Sequence, residues 1–120
     1  IVQTDCNVTG ITENWHIARM AHLRGITLIP HNWHGGGTTM GNAHLVAAIP
    51  NREYCELNQT YNPLKEGIFK EPLTVKNGVM SLPDGAGLGV ELIDDVEKKF
   101  PFVPGSYKKP NPFDSVTNSI

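Results

Sequence analysis

Three ionisable side chains, Asp5, His31 and Glu56, fall at the ends of three short runs that read as strands. Neighbouring parallel strands lie about 4.8 Å apart, and groups at their C-terminal ends project into one crevice, where barrels and open α/β sheets hold their sites. A carboxylate on one imidazole nitrogen sets the tautomer and stabilises the charged ring, which leaves the second nitrogen to take or give a proton. Asp5 and His31 can form such a pair, with Glu56 holding or polarising a substrate from the next strand end. A plainer reading stands beside it. Asp and His at strand ends also cap turns and bind nearby backbone amides, and Glu53 competes with Glu56 for the third place.

Two other groupings invite chemistry. His31 and His34, with His44 as a third imidazole, could bind Zn²⁺. They lack the two-His spacing with an intervening Glu that makes a metalloprotease motif specific, and no metal ligand is assigned in this chain. His16 and His22 suit solvent, and His44 suits a packed or hydrogen-bonded helix position. Gly35-Gly36-Gly37 precedes a helical pattern whose free amides could cradle a phosphate, yet neither a P-loop Lys nor Rossmann spacing accompanies it. It reads as a flexible rim loop. Gly85, Gly87 and Gly89 follow Pro83-Asp84 and read as a tight turn.

The elements that must position these residues alternate. Residues 1–5 read as a strand, Thr9-Gly10 as a turn, and residues 12–24 as a helix with Trp15, Ile17, Ala18, Ala21 and Leu23 on its apolar stripe. Gly25 is its C-terminal stop. Ile26 to Ile29 is β-branched or apolar throughout, as in a strand buried in a parallel sheet, and Pro30-His31 ends it. Thr38 or Thr39 caps a second helix running to about Ile49, Pro50 stops it, and residues 53–57 form a third strand. Beyond Leu57 the chain reads as irregular β, with strand-like pieces at 73–75 and 79–82 and a short helix at 94–100. A Pro-rich tail after Pro101 wraps over a surface.

Composition narrows the classes of function. The 120 residues are 39% apolar and 18% charged, enough for one small core. Ten Lys and Arg against twelve Asp and Glu give a formal charge of −2, without the basic block that nucleic acid requires. No apolar run reaches the roughly 18 residues of a membrane span. Cys6 and Cys55 form neither a CxxC pair nor a disulfide framework, so a reducing cytoplasm is expected. The opening Ile1-Val2-Gln3, with no Met and no cap before it, reads as the inside of an element and so as a fragment.

The order of motifs resembles a known family. Val2-Gln3-Thr4-Asp5, Thr9-Gly10-Ile11-Thr12-Glu13, Ile29-Pro30-His31, Tyr54-Cys55-Glu56 and Leu82-Pro83-Asp84-Gly85-Ala86-Gly87-Leu88-Gly89-Val90 together resemble the C-terminal part of the mandelate racemase/muconate lactonizing enzyme group of the enolase superfamily. Thr9-Gly10 stands where that family usually carries two glycines. The resemblance implies an α/β fold: the C-terminal portion of a modified (β/α) TIM-like barrel, with a segment returning to an α+β capping domain. Residues 1–57 then supply the last three strand/helix units of the barrel, and residues 58–120 pack toward the cap. About 250 residues close such a barrel, more than this chain has.

By the same resemblance, Asp5 and His31 are the dyad that moves the proton next to a carboxylate, and Glu56 helps bind or stabilise the enolate. The Mg²⁺ cofactor that stabilises the enediolate has its ligands on barrel strands outside this chain. Water elimination from a sugar acid is the leading expectation, with Asn32, Trp33 and His34 as substrate-binding residues suited to a polyol. Racemisation, epimerisation or cycloisomerisation would use the same dyad. A zinc hydrolase on His31 and His34, or a non-catalytic carbohydrate-binding module, are the readings from other classes. The expected partners are a small-molecule carboxylate and further copies of the same chain, with neither nucleic acid nor membrane among them.

Overall fold

A computed structural model describes residues 1–104, apart from the side chain of Glu66. Helix α1 (Cys6–His22) and helix α2 (Gly36–Ala48) alternate with three extended segments that pass through Val2, Leu28 and Arg52. Those residues pair in parallel, Val2 with Leu28 and Leu28 with Arg52, so the middle segment lies between the other two. Backbone bonds set the register: Val2 N–H donates to Thr27 O, Ile29 N–H to Val2 O, His31 N–H to Thr4 O and Leu28 N–H to Asn51 O. The pairing is brief, and the third segment pairs at Arg52, ahead of the expected 53–57.

Helix α1 starts six residues earlier than its apolar stripe suggests because Asp5 caps it, the carboxylate accepting from Asn7 N–H. Gly10 breaks the helix at φ 76°, a conformation open to glycine, so the expected turn survives inside the element. Asn14 closes the gap by donating from Nδ2 to both Thr9 Oγ1 and Gly10 O, each at 2.7 Å, and is wholly buried for that purpose. The stripe is correspondingly narrower than expected: Ala18 and Ala21 are buried, whereas Trp15 and Leu23 are exposed. His16 and His22 face solvent as expected.

Helix α2 carries three Ala with Met40 and Leu45, which lose little freedom on becoming helical, alongside three glycines. Its end at Ile49 is set by Pro50, since the residue before proline is driven to an extended conformation. Ala18, Leu28, Leu45 and Ile49 form the core between the two helices and the central segment, with Val2, Cys6 and Ile17 packed around them. No threonine caps α2; Gly35 occupies that place without a side-chain bond, and Thr39 is buried a turn inside.

The remainder is irregular. Asn62 caps a one-turn helix α3 (Pro63–Glu66), with Pro63 at its first position. Strands β1 (Val75–Lys76) and β2 (Val79–Met80) form a hairpin whose two-residue turn, Asn77-Gly78, has positive φ at both positions as such turns demand. Helix α4 (Val96–Lys99) is shorter than the expected 94–100. Phe69 pairs with Leu92 and is buried against α2. The expectation that the tail wraps over a surface falls mostly on residues 105–120, outside the described residues. Among the described residues, no helix is long and apolar enough to cross a membrane.

Gly36 belongs to the packing and not to a loose rim, which corrects the expectation for the triple glycine. A Cβ placed there would stand 2.7 Å from Phe69 Cε2 and 3.3 Å from Lys65 O. Gly36→Ala should therefore destabilise the intact protein by about 1–3 kcal/mol in urea unfolding, and Phe69→Leu in the same chain should recover part of that loss. Strict additivity of the two substitutions would remove the contact from the account.

Candidate active site

The parallel register brings the three expected residues to one level. Asp5 lies three residues beyond Val2, His31 three beyond Leu28, and Glu56 four beyond Arg52. Asp5 is 7% exposed and divides its carboxylate. Oδ1 accepts from Asn7 N–H at 2.8 Å, capping α1. Oδ2 lies 3.0 Å from His31 Nδ1, where the imidazole N–H donates and the second ring nitrogen is left to carry a lone pair. Both bonds that the sequence offered for Asp5, the cap and the contact with His31, are present, one for each oxygen.

His34 joins them. Its Nε2 stands 3.1 Å from the same Oδ2, and its ring lies edge-on to that of His31 at a centroid distance of 6.3 Å. The side chains of His31 and His34 are 47% and 38% exposed. They line an open pocket of about 360 Å³ with Gln3, Thr4, Asp5, Val8 and Thr9. Trp33 is exposed and is not among the residues lining that pocket.

Glu56 is positioned from beneath. Its Oε2 accepts from Asn32 N–H at 3.2 Å, and its backbone carbonyl accepts from Asn32 Nδ2 at 2.8 Å, whereas the rival Glu53 is exposed. Asn32 is wholly buried, and its carboxamide also meets the Thr39 hydroxyl at 3.2 Å. The substrate contact expected of Asn32 is therefore corrected to an internal one: its side chain locks the third segment and α2 beneath the site. Asn42, which the sequence reading did not single out, does the same for the dyad. It donates to His31 O at 2.9 Å and accepts from Cys6 N–H at 3.2 Å, joining the two sides of the pair from a buried position on α2. The available signal was an asparagine set among Met40, Ala43 and Leu45 on an apolar helix, since buried amides are kept where they satisfy backbone groups.

His44 is not part of this group. Its Nε2 is 3.0 Å from Leu88 O, so the three-imidazole Zn²⁺ arrangement does not form, and the hydrogen-bonded helix role does. The turn read at Gly85 to Gly89 is present, and Gly89 at φ 71° lies against Pro83, where a Cβ would stand 2.7 Å from Pro83 O. Asp5, His31 and His34 place three donor atoms within 4.8 Å of one another, the one such group of three among the described residues. Two donors are imidazole nitrogens, whereas Mg²⁺ takes oxygen ligands in a near-octahedral set. These three residues do not fit Mg²⁺.

The chain has recognisable relatives. Residues 1–96 match the family model described as enolase C-terminal domain-like. Arabinonate dehydratase of Saccharolobus solfataricus is 41% identical over 101 residues, covering 83% of this chain and 27% of that protein. D-galactarolactone cycloisomerase of Agrobacterium fabrum is 34% identical over 109 residues, covering 83% and 29%. Among solved structures, an enolase-superfamily member from Polaromonas sp. JS666 superposes with a TM-score of 0.68 at 31% identity, covering 78% of this chain and 25% of that one. The chain belongs to the mandelate racemase/muconate lactonizing enzyme group of the enolase superfamily, and its fold is the C-terminal part of that group's TIM-like barrel. It spans 27 to 29% of the length of these two curated relatives.

Cys6, next to Asp5, has its thiol pushed up to about 11, first by burial, then by the Asp5 charge and by Cys55. Cys55 is likewise raised, by burial and then by Glu56. At pH 8 the Cys6 thiolate should be about a hundredfold scarcer than that of an ordinary cysteine. Its alkylation by iodoacetamide, followed by peptide mass spectrometry, should be slower by the same factor and accelerate as pH approaches 11. Asp5→Asn should speed it by removing one of the causes. Alkylation of Cys6 at the rate of free cysteine would contradict this environment.

Proposed function

We propose that the protein removes the proton α to a substrate carboxylate and eliminates water, as a sugar-acid dehydratase. The observation that supports this most is the 3.0 Å contact between His31 Nδ1 and Asp5 Oδ2 at the wall of an open pocket. Asp5 holds the ring so that Nε2 acts as base, and its charge favours the imidazolium that forms. The proton taken from the α-carbon then passes from His31 to the β-hydroxyl as the carbon–oxygen bond breaks. One hydrogen and one hydroxyl leave together as water, and the ring returns to its starting state.

Glu56, held by Asn32, acts on the substrate from the third segment, and His34, which lines the pocket, contacts its hydroxyl-bearing end. Mg²⁺, which the family implies, would supply positive charge to the substrate carboxylate from ligands outside this chain. Residues 58–104 return toward a capping domain. The substrate is a small carboxylate, an acid sugar by analogy with the two curated relatives, whose names are those of enzymes acting on arabinonate and on D-galactarolactone. The second of them favours cycloisomerisation as the alternative outcome on the same dyad. Both cysteines are free thiols, which agrees with a reducing cytoplasm as the place of action.

His31→Asn in the intact protein should lower the exchange of deuterium at the substrate α-carbon by about 10²- to 10⁴-fold, the contribution of a positioned acid–base group. Circular dichroism should show the fold unchanged. Exchange retained at the wild-type rate would take His31 out of the chemistry, and a panel of acid sugars read by loss of water would separate dehydration from isomerisation.

A further inference from the structure

We infer that Asp5, His31 and His34 form a binding site for a borderline-soft divalent cation, Zn²⁺ foremost, and that its occupation disables His31 as a base. Binding itself does not depend on the proposed function; the loss of proton transfer does. The donor set is one carboxylate oxygen and two imidazole nitrogens, all within 4.8 Å of one another. Asp5 Oδ2 is the shared corner, 3.0 Å from His31 Nδ1 and 3.1 Å from His34 Nε2. Zinc–nitrogen and zinc–oxygen bonds of about 2.0–2.1 Å set tetrahedral ligands roughly 3.3 Å apart. Two of the three separations therefore stand within a few tenths of an ångström of that value, and a turn of the imidazoles brings the third into range.

The frame is built for a fixed ligand and two adjustable ones. Asp5 is held by Asn7 N–H on its other oxygen and is almost fully buried, so Oδ2 keeps its place. Both imidazoles are partly exposed, which leaves them room to rotate. The backbone of His31 is anchored by Thr4 O and by Asn42, so rotation is confined to the side chain. Three protein ligands leave a fourth position for water on the side of the pocket, the pattern of open zinc sites. Nitrogen donors favour Zn²⁺ over Mg²⁺, so the two ions are sorted by ligand type.

The consequence for His31 follows from its tautomers. As hydrogen-bonded to Asp5, its proton is on Nδ1 and its lone pair is on Nε2. A cation between the three residues takes the Nδ1 lone pair, so the ring's proton must sit on Nε2. The proton moves between nitrogens by way of solvent and none is lost overall. The nitrogen that would accept the α-proton then already carries one, and His31 is no longer a base while the cation stays.

The test uses the intact, Mg²⁺-loaded protein and two probes, Zn²⁺ titrated against a coloured chelator and Co²⁺ read by visible absorption. Wild type should hold one Zn²⁺ at this site, and His34→Ala and His34→Gln should each weaken it about a hundredfold or more. Co²⁺ should give the strong colour of a four-coordinate ion in wild type and lose it in both variants. Zinc should also suppress α-deuterium exchange by wild type. Equal Zn²⁺ affinity and equal Co²⁺ spectra in wild type and both variants would place the cation elsewhere and overturn the site. Exchange continuing at full rate with the site filled would overturn the blockade. A filled site in a protein that shows no exchange with any acid sugar would count against the dehydratase reading while upholding the cation site.

Discussion

One buried carboxylate has two obligations. Asp5 must cap α1 with one oxygen and orient an imidazole with the other, and its position at the end of the first segment satisfies both. A carboxylate this buried is costly unless each oxygen finds a donor. The cap supplies one donor from the helix that follows Asp5, and the loop after the second segment supplies the other. Local structure and site geometry are therefore the same set of bonds. The helix start at Cys6, the register of the segments and the orientation of His31 follow together.

Three buried asparagines carry that arrangement into the rest of the fold. Asn14 repairs the break that Gly10 makes in α1, Asn42 joins Cys6 to His31, and Asn32 joins Glu56 to Thr39. Each amide has donors and an acceptor, so it can bridge backbone groups that a short, sparsely paired sheet leaves without partners. The brevity of the parallel pairing, limited to Val2, Leu28 and Arg52, gives these bridges their importance. Asn32 and Asn42 stand in for ladder bonds at the ends of the segments, where Asp5, His31 and Glu56 lie.

The crowding of two imidazoles at Asp5 Oδ2 gives the site a second character. A pair built only for proton transfer needs one imidazole; the second, His34, brings the same carboxylate within reach of a cation as well. Oxygen-rich and nitrogen-rich sites select different metals. On the proposed function, a hard cation held by ligands outside this chain and a softer one on these nitrogens would be kept apart by their donor types.

The sequence by itself determined the alternation of extended and helical units, the stop at Pro50, the turn at Gly85 to Gly89 and the presence of Asp5, His31 and Glu56 at the ends of three successive units. These are local or periodic signals, carried by residue type and spacing along the chain. It also held the motif order that marks the family. Tertiary structure alone decided that Trp15 faces outward, that Asn32 turns inward to Glu56, that Gly36 packs under Phe69, and that His34 and not His44 stands beside the dyad. The physical reason is common to all four. Each depends on which partner arrives from a distant part of the chain, and a side chain's own chemistry states what bonds it can make without stating which partner will be there.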